Sequence, residues 1–112
     1  MLPKINRIKK KKDFEFIFRN GVSFKNSCLI LKVVKNNLDY SRFGFVVSGK
    51  VSKKAVDRNK IRRRLSEIVK KEVIKAGLDL VFISLSSAKG KSFSELKKET
   101  QTILIKAKAL NV

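Results

Sequence analysis

Arg58, Asn59, Lys60, Arg62 and Arg63 crowd together within AVDRNKIRRRLSEIV, residues 55–69. These residue types suit phosphate recognition. An arginine presents a planar fork that meets two phosphate oxygens at once and stacks on bases, whereas a lysine presents a point charge. Asn59 carries a donor and an acceptor on one amide, so it can read an edge or fix a neighbouring arginine. Projected as a helix, Ile61, Leu65, Ile68 and Val69 gather on one side to pack on the fold. Asn59, Arg63, Ser66 and Lys70 gather opposite them, with Lys60, Arg62 and Arg64 on the flanks. The pattern sets Arg58 over Arg62 and Lys60 over Arg64. Each such like-charge pair costs an isolated helix roughly a few tenths of a kcal/mol, a cost that a bound polyanion relieves. A face that is merely solvated, or one that lies on an anionic membrane, remains an alternative.

Charge over the whole chain favours the polyanion. The 112 residues hold 28 Lys and Arg against 9 Asp and Glu, a formal net charge of +19. Self-repulsion of that size destabilises a compact state and suggests an anionic partner, nucleic acid first and a membrane surface second. Protein-based catalysis has little to work with. There is no His, and the single Cys28 sits in a predicted strand without a base. The acids are scattered, no metal-ligand spacing occurs, and no Gly-rich phosphate cradle precedes a Lys and Ser/Thr. No protein active site, metal site or bound cofactor is therefore expected.

The elements that must position these residues follow from periodicity. MLPKINRIKKKK, residues 1–12, is a basic, partly mobile arm. It begins like a signal sequence, but Asp13, Glu15 and Arg19 interrupt any apolar segment after it. No uncharged run approaches the roughly 20 residues of a membrane span. Together with the lone cysteine, this predicts a soluble cytoplasmic protein. Asp13 is placed to cap a short helix, with Phe14, Ile17 and Phe18 on one face and Gly21 at its exit. Strands are predicted at residues 28–34, 42–48 and 79–85. In the first, Leu29, Leu31 and Val33 face one side and Ile30, Lys32 and Val34 the other. In the second, Phe43, Phe45 and Val47 oppose Arg42, Gly44, Val46 and Ser48, and Gly44 leaves room for a close approach to the sheet. The basic helix is read from about Lys54 to Ala76, stopped by Gly77. Ser92 and Glu95 form a capping box for a last helix that buries Phe93, Leu96, Ile103, Ala107 and Leu110. The order predicts one domain, residues 1–112, of α/β class: an α+β sandwich of helices on a sheet.

Three segments resemble the protein-subunit family of bacterial ribonuclease P. They are LPKINRIKKKKDFEFIFRNG at the start, RFGFVVSGKVSKKAVDRNKIRRRLSE at the centre and DLVFISL near the end. The likeness covers about residues 2–110, and the ordered central block is its most specific part. It implies an α-β-β-β-α-β-α, ribosomal-protein-like fold with a left-handed βαβ crossover, and hence a further short strand near Val22 to Lys25. It implies that a catalytic RNA is the partner and does the chemistry. That chemistry is the magnesium-dependent hydrolysis of precursor tRNA that frees the 5′ leader. Magnesium then belongs to the complex with RNA, and no obligate protein partner or membrane is implied.

Position by position, the resemblance implies that Arg58, Asn59 and Lys60 stand in an Arg-Asn-Arg motif that Arg62 and Arg63 continue. With Lys50, Lys53 and Lys54 they form the surface for the RNA subunit. Lys60 departs from the motif, keeping the charge and losing the fork. Ser66 stands where many relatives have a basic residue. A leader-binding cleft between sheet and first helix is implied at Phe14, Phe18, Ile30, Lys32 and Ser48, with Arg7 and Lys10 at its rim. Apolar platforms with cations suit a single strand, although Phe14 and Phe18 also read as plain core. Rival readings are a ribosomal-protein-like structural RNA binder and a membrane-surface protein.

Overall fold

A computed structural model describes residues 2–110. Helix α1 (Lys11–Asn20) leads into strands β1 (Val22–Lys25), β2 (Leu29–Lys35) and β3 (Arg42–Val46). Helix α2 (Ala55–Lys70), strand β4 (Leu78–Ser84) and helix α3 (Phe93–Lys106) follow. The four strands form one sheet in the order β1-β2-β4-β3. β2 pairs antiparallel with β1 and β4, and β3 pairs parallel with β4. Parallel neighbours need a crossover, and α2 supplies it. The α-β-β-β-α-β-α order is the expected one, and the short strand implied near Val22 is β1.

Side-chain alternation divides the sheet into two faces. Leu29, Leu31, Phe43, Leu80 and Phe82 join Ile61, Leu65, Ile68 and Val69 of α2 and Leu96, Ile103 and Leu104 of α3 in the main core. The opposite face carries a smaller cluster of Ile8, Ile17 and Val81, with Phe14, Val34, Val46 and Ile83 packed against it. So α1 covers one face, and α2 and α3 cover the other. The in–out assignments predicted for β2 and β3 hold. Gly44 has the predicted purpose. A Cβ built there would lie 2.6 Å from Cε1 of Phe14, so only a glycine lets that ring lie on the strand.

Several boundaries differ from expectation, each for a physical reason. Lys10, with no side-chain cap, occupies the N-cap of α1, and Asp13 lies inside its first turn. Asp13 is drawn there by Arg42, whose Nη1 is 3.5 Å from its carboxylate. Helix α2 ends at Lys70, well before Gly77. Residues after it must turn back to the sheet: Ile74 bridges to Leu110, and Gly77 adopts φ +81 as the chain enters β4. Phe93 is 41 % exposed, at the first turn of α3, although the capping box of Ser92 and Glu95 behind it forms as predicted. The backbone N–H of Ser92 holds the Glu95 carboxyl below its ordinary range. The basic N-terminal segment is anchored rather than free. Leu2 and Ile8 are buried, and Ile8 N–H donates to the Phe43 carbonyl at 2.9 Å.

Asp79 on β4 is 4 % exposed and charged. Arg42 meets it with two hydrogen bonds, Nε to Oδ1 at 2.9 Å and Nη2 to Oδ2 at 2.6 Å. Asn36 Nδ2 donates to Oδ1 at 2.9 Å and so ties in the β2–β3 turn. The bond to Asp79 raises the Arg42 pKa further above its ordinary value. Cys28 is fully buried, and burial first, then Glu99, pushes its thiol up to about 11.

Two outcomes are expected. Asp79→Ala strands the Arg42 guanidinium, which keeps some contact with water, and lowers stability by about 2–3 kcal/mol in urea unfolding; a loss under about 0.5 kcal/mol would contradict the role given to the pair. Cys28 carries a pH signature. Its folded pKa lies above the ordinary 9.0, so the unfolded state releases the proton first. Its contribution is fully present below pH 9 and is lost as pH rises toward 11. Urea midpoints of the native protein should fall more steeply over that window than those of Cys28→Ala, and equal slopes would refute the shift.

Candidate nucleic-acid interface

The basic helix is divided by its own packing. Ile61, Leu65, Ile68 and Val69 are buried, whereas Asn59, Lys60, Arg63 and Lys70 are exposed. Ser66, expected on the outer face, is instead 6 % exposed, in the wall of a cavity that Leu2, Arg7 and Ile8 of the N-terminal segment also line. Lys50, Lys53 and Lys54 are exposed along the loop into α2, and Lys54 is its N-cap residue. Ser52 anchors this loop by donating to Asp57 Oδ2 at 2.9 Å, and its carbonyl accepts from Arg58 Nη1 at 2.9 Å. Arg58 is therefore partly committed to its own loop.

Asn59, Arg62 and Arg63 line a cavity of about 380 Å³. Its other walls are Leu2, Arg7 and Ile8 of the N-terminal segment, Phe14 of α1, the β3 residues Phe43, Gly44 and Phe45, and Ser66. Arg62 Nη2 donates to Asn59 Oδ1 at 2.5 Å, so Asn59 does fix a neighbouring arginine. Lys60 faces elsewhere. It shares a shallow groove with Arg64 and Lys89 on the side toward α3. The motif residues thus divide between the two flanks of α2, so Lys60 is not on the Arg62 flank.

Six of the acids engage partners other than these cations. Asp13 and Asp79 engage Arg42, Asp57 engages Ser52, Glu72 engages Gln101, Glu95 caps α3 and Glu99 engages Ser27. None of these carboxylates bonds to Arg58, Lys60, Arg62 or Arg63. The surface around α2 keeps an excess of positive charge, with Asp57 and Glu67 as the acids of the helix itself.

The residues assigned to a cleft separate into two groups. Ile30, Lys32 and Phe18 lie on the α1 face of the sheet. Ile30 and Lys32 are half-buried and Phe18 is 41 % exposed. Lys32 Nζ reaches the Phe18 carbonyl at 3.4 Å, across the gap between β2 and the end of α1. The register puts Ile30 beside Ile83, and Ile83 beside Val46. This half-buried apolar row lies past the end of α1 on the same face of the sheet. Sequence reasoning missed Ile83 and Val46, although their alternation with Phe82 and Phe45 carried the signal. Arg7 and Phe14 belong to the second group and line the cavity shared with α2. Phe14 is half-buried against Gly44, with its ring centroid 6.2 Å from that of Phe18, so it joins the cleft to the cavity. Lys10 is exposed at the start of α1. Ser48 is exposed in the turn after β3, where its Oγ accepts from Lys50 N–H.

No cluster of three or more His, Cys, Asp or Glu able to hold a metal occurs among the described residues. No helix among them is long and apolar enough to cross a membrane.

Known proteins share this arrangement. The Ribonuclease P family model matches residues 2–108. The ribonuclease P protein component of Clostridioides difficile is 39% identical over 100 residues, covering 87% of each chain. The solved ribonuclease P protein of Staphylococcus aureus superposes with a TM-score of 0.87 at 33% identity, covering 95% of this chain and 98% of that one. The Thermotoga maritima protein gives 0.82 at 32% identity, covering 89% and 96%. A match that runs through α1, the whole sheet and the basic helix leaves one assignment: the chain belongs to the ribonuclease P protein component family.

Proposed function

We propose that this protein binds the catalytic RNA of ribonuclease P through α2 and the loop before it. It holds the 5′ leader of precursor tRNA on the α1 face of the sheet. As a ribonuclease P protein component it serves a ribonucleoprotein endoribonuclease that processes tRNA. The proposal concerns how it serves. The single observation that carries it is the separation of two cationic surfaces by one sheet. Arg58, Asn59, Lys60, Arg62 and Arg63 occupy the helix behind the sheet, and Lys32 stands among half-buried apolar side chains in front.

The physical roles follow. Each Lys or Arg on α2 that neutralises a phosphate releases counterions, which supplies sequence-independent affinity for folded RNA. Arg62 and Arg63 add forked contacts, while Lys60 acts as a point charge on the α3 flank. The cleft suits a single strand instead. Phe18, Ile30 and Ile83 offer apolar platforms, and Lys32 meets the passing backbone. Holding both RNAs at once positions the leader against the RNA that cuts it, so the protein raises cleavage by binding and orientation. On this reading magnesium belongs to the RNA, and no step is assigned to it on the protein. The setting is cytoplasmic, with the two RNAs as partners and no obligate protein partner.

A structural RNA binder without a processing role would travel with ribosomal RNA, whereas this protein is expected to co-purify with one smaller RNA. Added to a bacterial ribonuclease P RNA at low magnesium, it should increase precursor-tRNA cleavage over RNA alone; no gain would overturn the proposal. Replacing Arg62 and Arg63 together with Ala should weaken RNA-subunit binding and lower the salt slope by roughly one unit per lost phosphate contact. An unchanged slope would move the interface off α2. Lys32→Ala should weaken binding of precursor tRNA only when a leader is present, and a loss independent of leader length would refute the cleft.

A further inference from the structure

The cavity between the N-terminal segment, β3 and α2 is built unlike the surface around it. Its walls are aromatic: Phe14, Phe43 and Phe45 all contribute. Its rim is cationic, with Arg7 on one side and Arg62 and Arg63 on the other. Exposed Asn59 and Arg63 mark where it opens to the surface. At about 380 Å³ it lies near the lower end of the range for small-ligand sites, about 300–1,000 Å³, which suits one flat ring system.

Polar groups for such a ring are also present. β3 is an edge strand, and its Phe43 carbonyl accepts from Ile8 N–H, so Phe43 turns its main-chain polar groups to the outer edge. The alternation of a strand turns those of Phe45, two residues on, to the same edge. Phe45 is a wall residue, and its main-chain N–H and C=O lie on that outer edge. Every nucleobase carries an adjacent acceptor and donor on its pairing edge. Arg62 holds the Asn59 amide by its oxygen, which leaves the amide N–H groups to donate.

We propose that this cavity receives one unpaired nucleobase of the RNA that lies along α2. The base stacks on the phenylalanine walls and pairs with the Phe45 main chain, while Arg62, Arg63 and Arg7 hold the phosphates on either side. The site rests on the reading of α2 as the helix facing the RNA subunit. It adds a base-sized anchor to what would otherwise be phosphate contact alone. Phosphate contact fixes position, and an extruded base fixes which nucleotide sits there.

Ser66 allows a direct test, because it is a buried wall residue without charge. Ser66→Phe fills the cavity and removes no cation. The full-length protein is bound to a bacterial ribonuclease P RNA, and each base is probed in the presence of precursor tRNA, A and C with dimethyl sulfate and U and G with a carbodiimide. Wild-type protein should protect an unpaired base of the catalytic RNA, and Ser66→Phe should restore its reactivity. Affinity should fall about fivefold to a hundredfold, the loss of one stacked base, with the salt slope unchanged. Should thermal melting show that Ser66→Phe is unfolded, Ser66→Leu occupies the cavity with less added volume and reads the same change. Protection patterns identical in wild type and filled variant would overturn the site while leaving the RNA interface standing. Protection that maps to the leader, or a salt slope that falls with affinity, would also overturn it. Failure of the wild-type protein to bind the RNA would overturn the reading of α2 and this site with it.

Discussion

Asp79 lies in β4 with almost none of its surface in water, and Arg42 on the neighbouring parallel strand closes a two-point bond on it. The same guanidinium reaches Asp13 in the first turn of α1, and the same carboxylate takes a hydrogen bond from Asn36 in the β2–β3 turn. Three elements and a turn are thus referred to one ionic centre. Its position matters because parallel pairing of β3 and β4 is made between segments far apart in sequence. Fixing α1 at this end of the sheet lays Phe14 on Gly44 and Ile17 on Val81, and leaves the other end of that face, Ile30, Ile83 and Val46, only half-buried. Both candidate RNA surfaces are consequences: the open row beyond α1, and the cavity that Phe14 helps to wall.

A chain with a net charge of +19 has few acids to spend. Most of them serve structure, at caps, turns and the Arg42 centre, and Asp57 on α2 itself holds the loop before the helix. Charge that is left unneutralised in the folded protein costs stability and is recovered when phosphate binds. The proposed function and the fold are therefore linked through one accounting of carboxylates. The neutral amide of Asn59 orders Arg62 without cancelling its charge.

Much of this was legible in the sequence where a local rule decided it. Alternation assigned the two faces of β2 and β3, the capping box located α3, and helical projection separated Ile61, Leu65 and Ile68 from Asn59 and Arg63. What failed were features decided at a distance. Asp13 looked like a cap, but a charge on β3 set its role. Ser66 projected outward on an isolated helix, yet it is buried in the wall of a cavity closed in part by the N-terminal segment. The end of α2 was set by the return of the chain to the sheet and its bridge to Leu110, not by Gly77. The sorting of Arg7 and Phe14 into the α2 cavity depended on the arm pairing with Phe43, for which no periodicity gives a signal. The resemblance to ribonuclease P proteins implied a family of contacts but not this division between them.

The central claim is that the two sides of one sheet address two different RNAs. Because Cys28 is buried and its thiol is pushed up to about 11, a single introduced cysteine can be labelled selectively. Val56 and Ser23 are exposed, the first in the opening turn of α2 and the second beside Lys32 on β1. An iron chelate tethered at Val56→Cys or at Ser23→Cys, in the assembled complex with precursor tRNA, generates hydroxyl radicals that cut nearby backbone. The account predicts cleavage of the catalytic RNA from position 56 and of the substrate leader from position 23. Cleavage of the same RNA at the same nucleotides from both positions would contradict it.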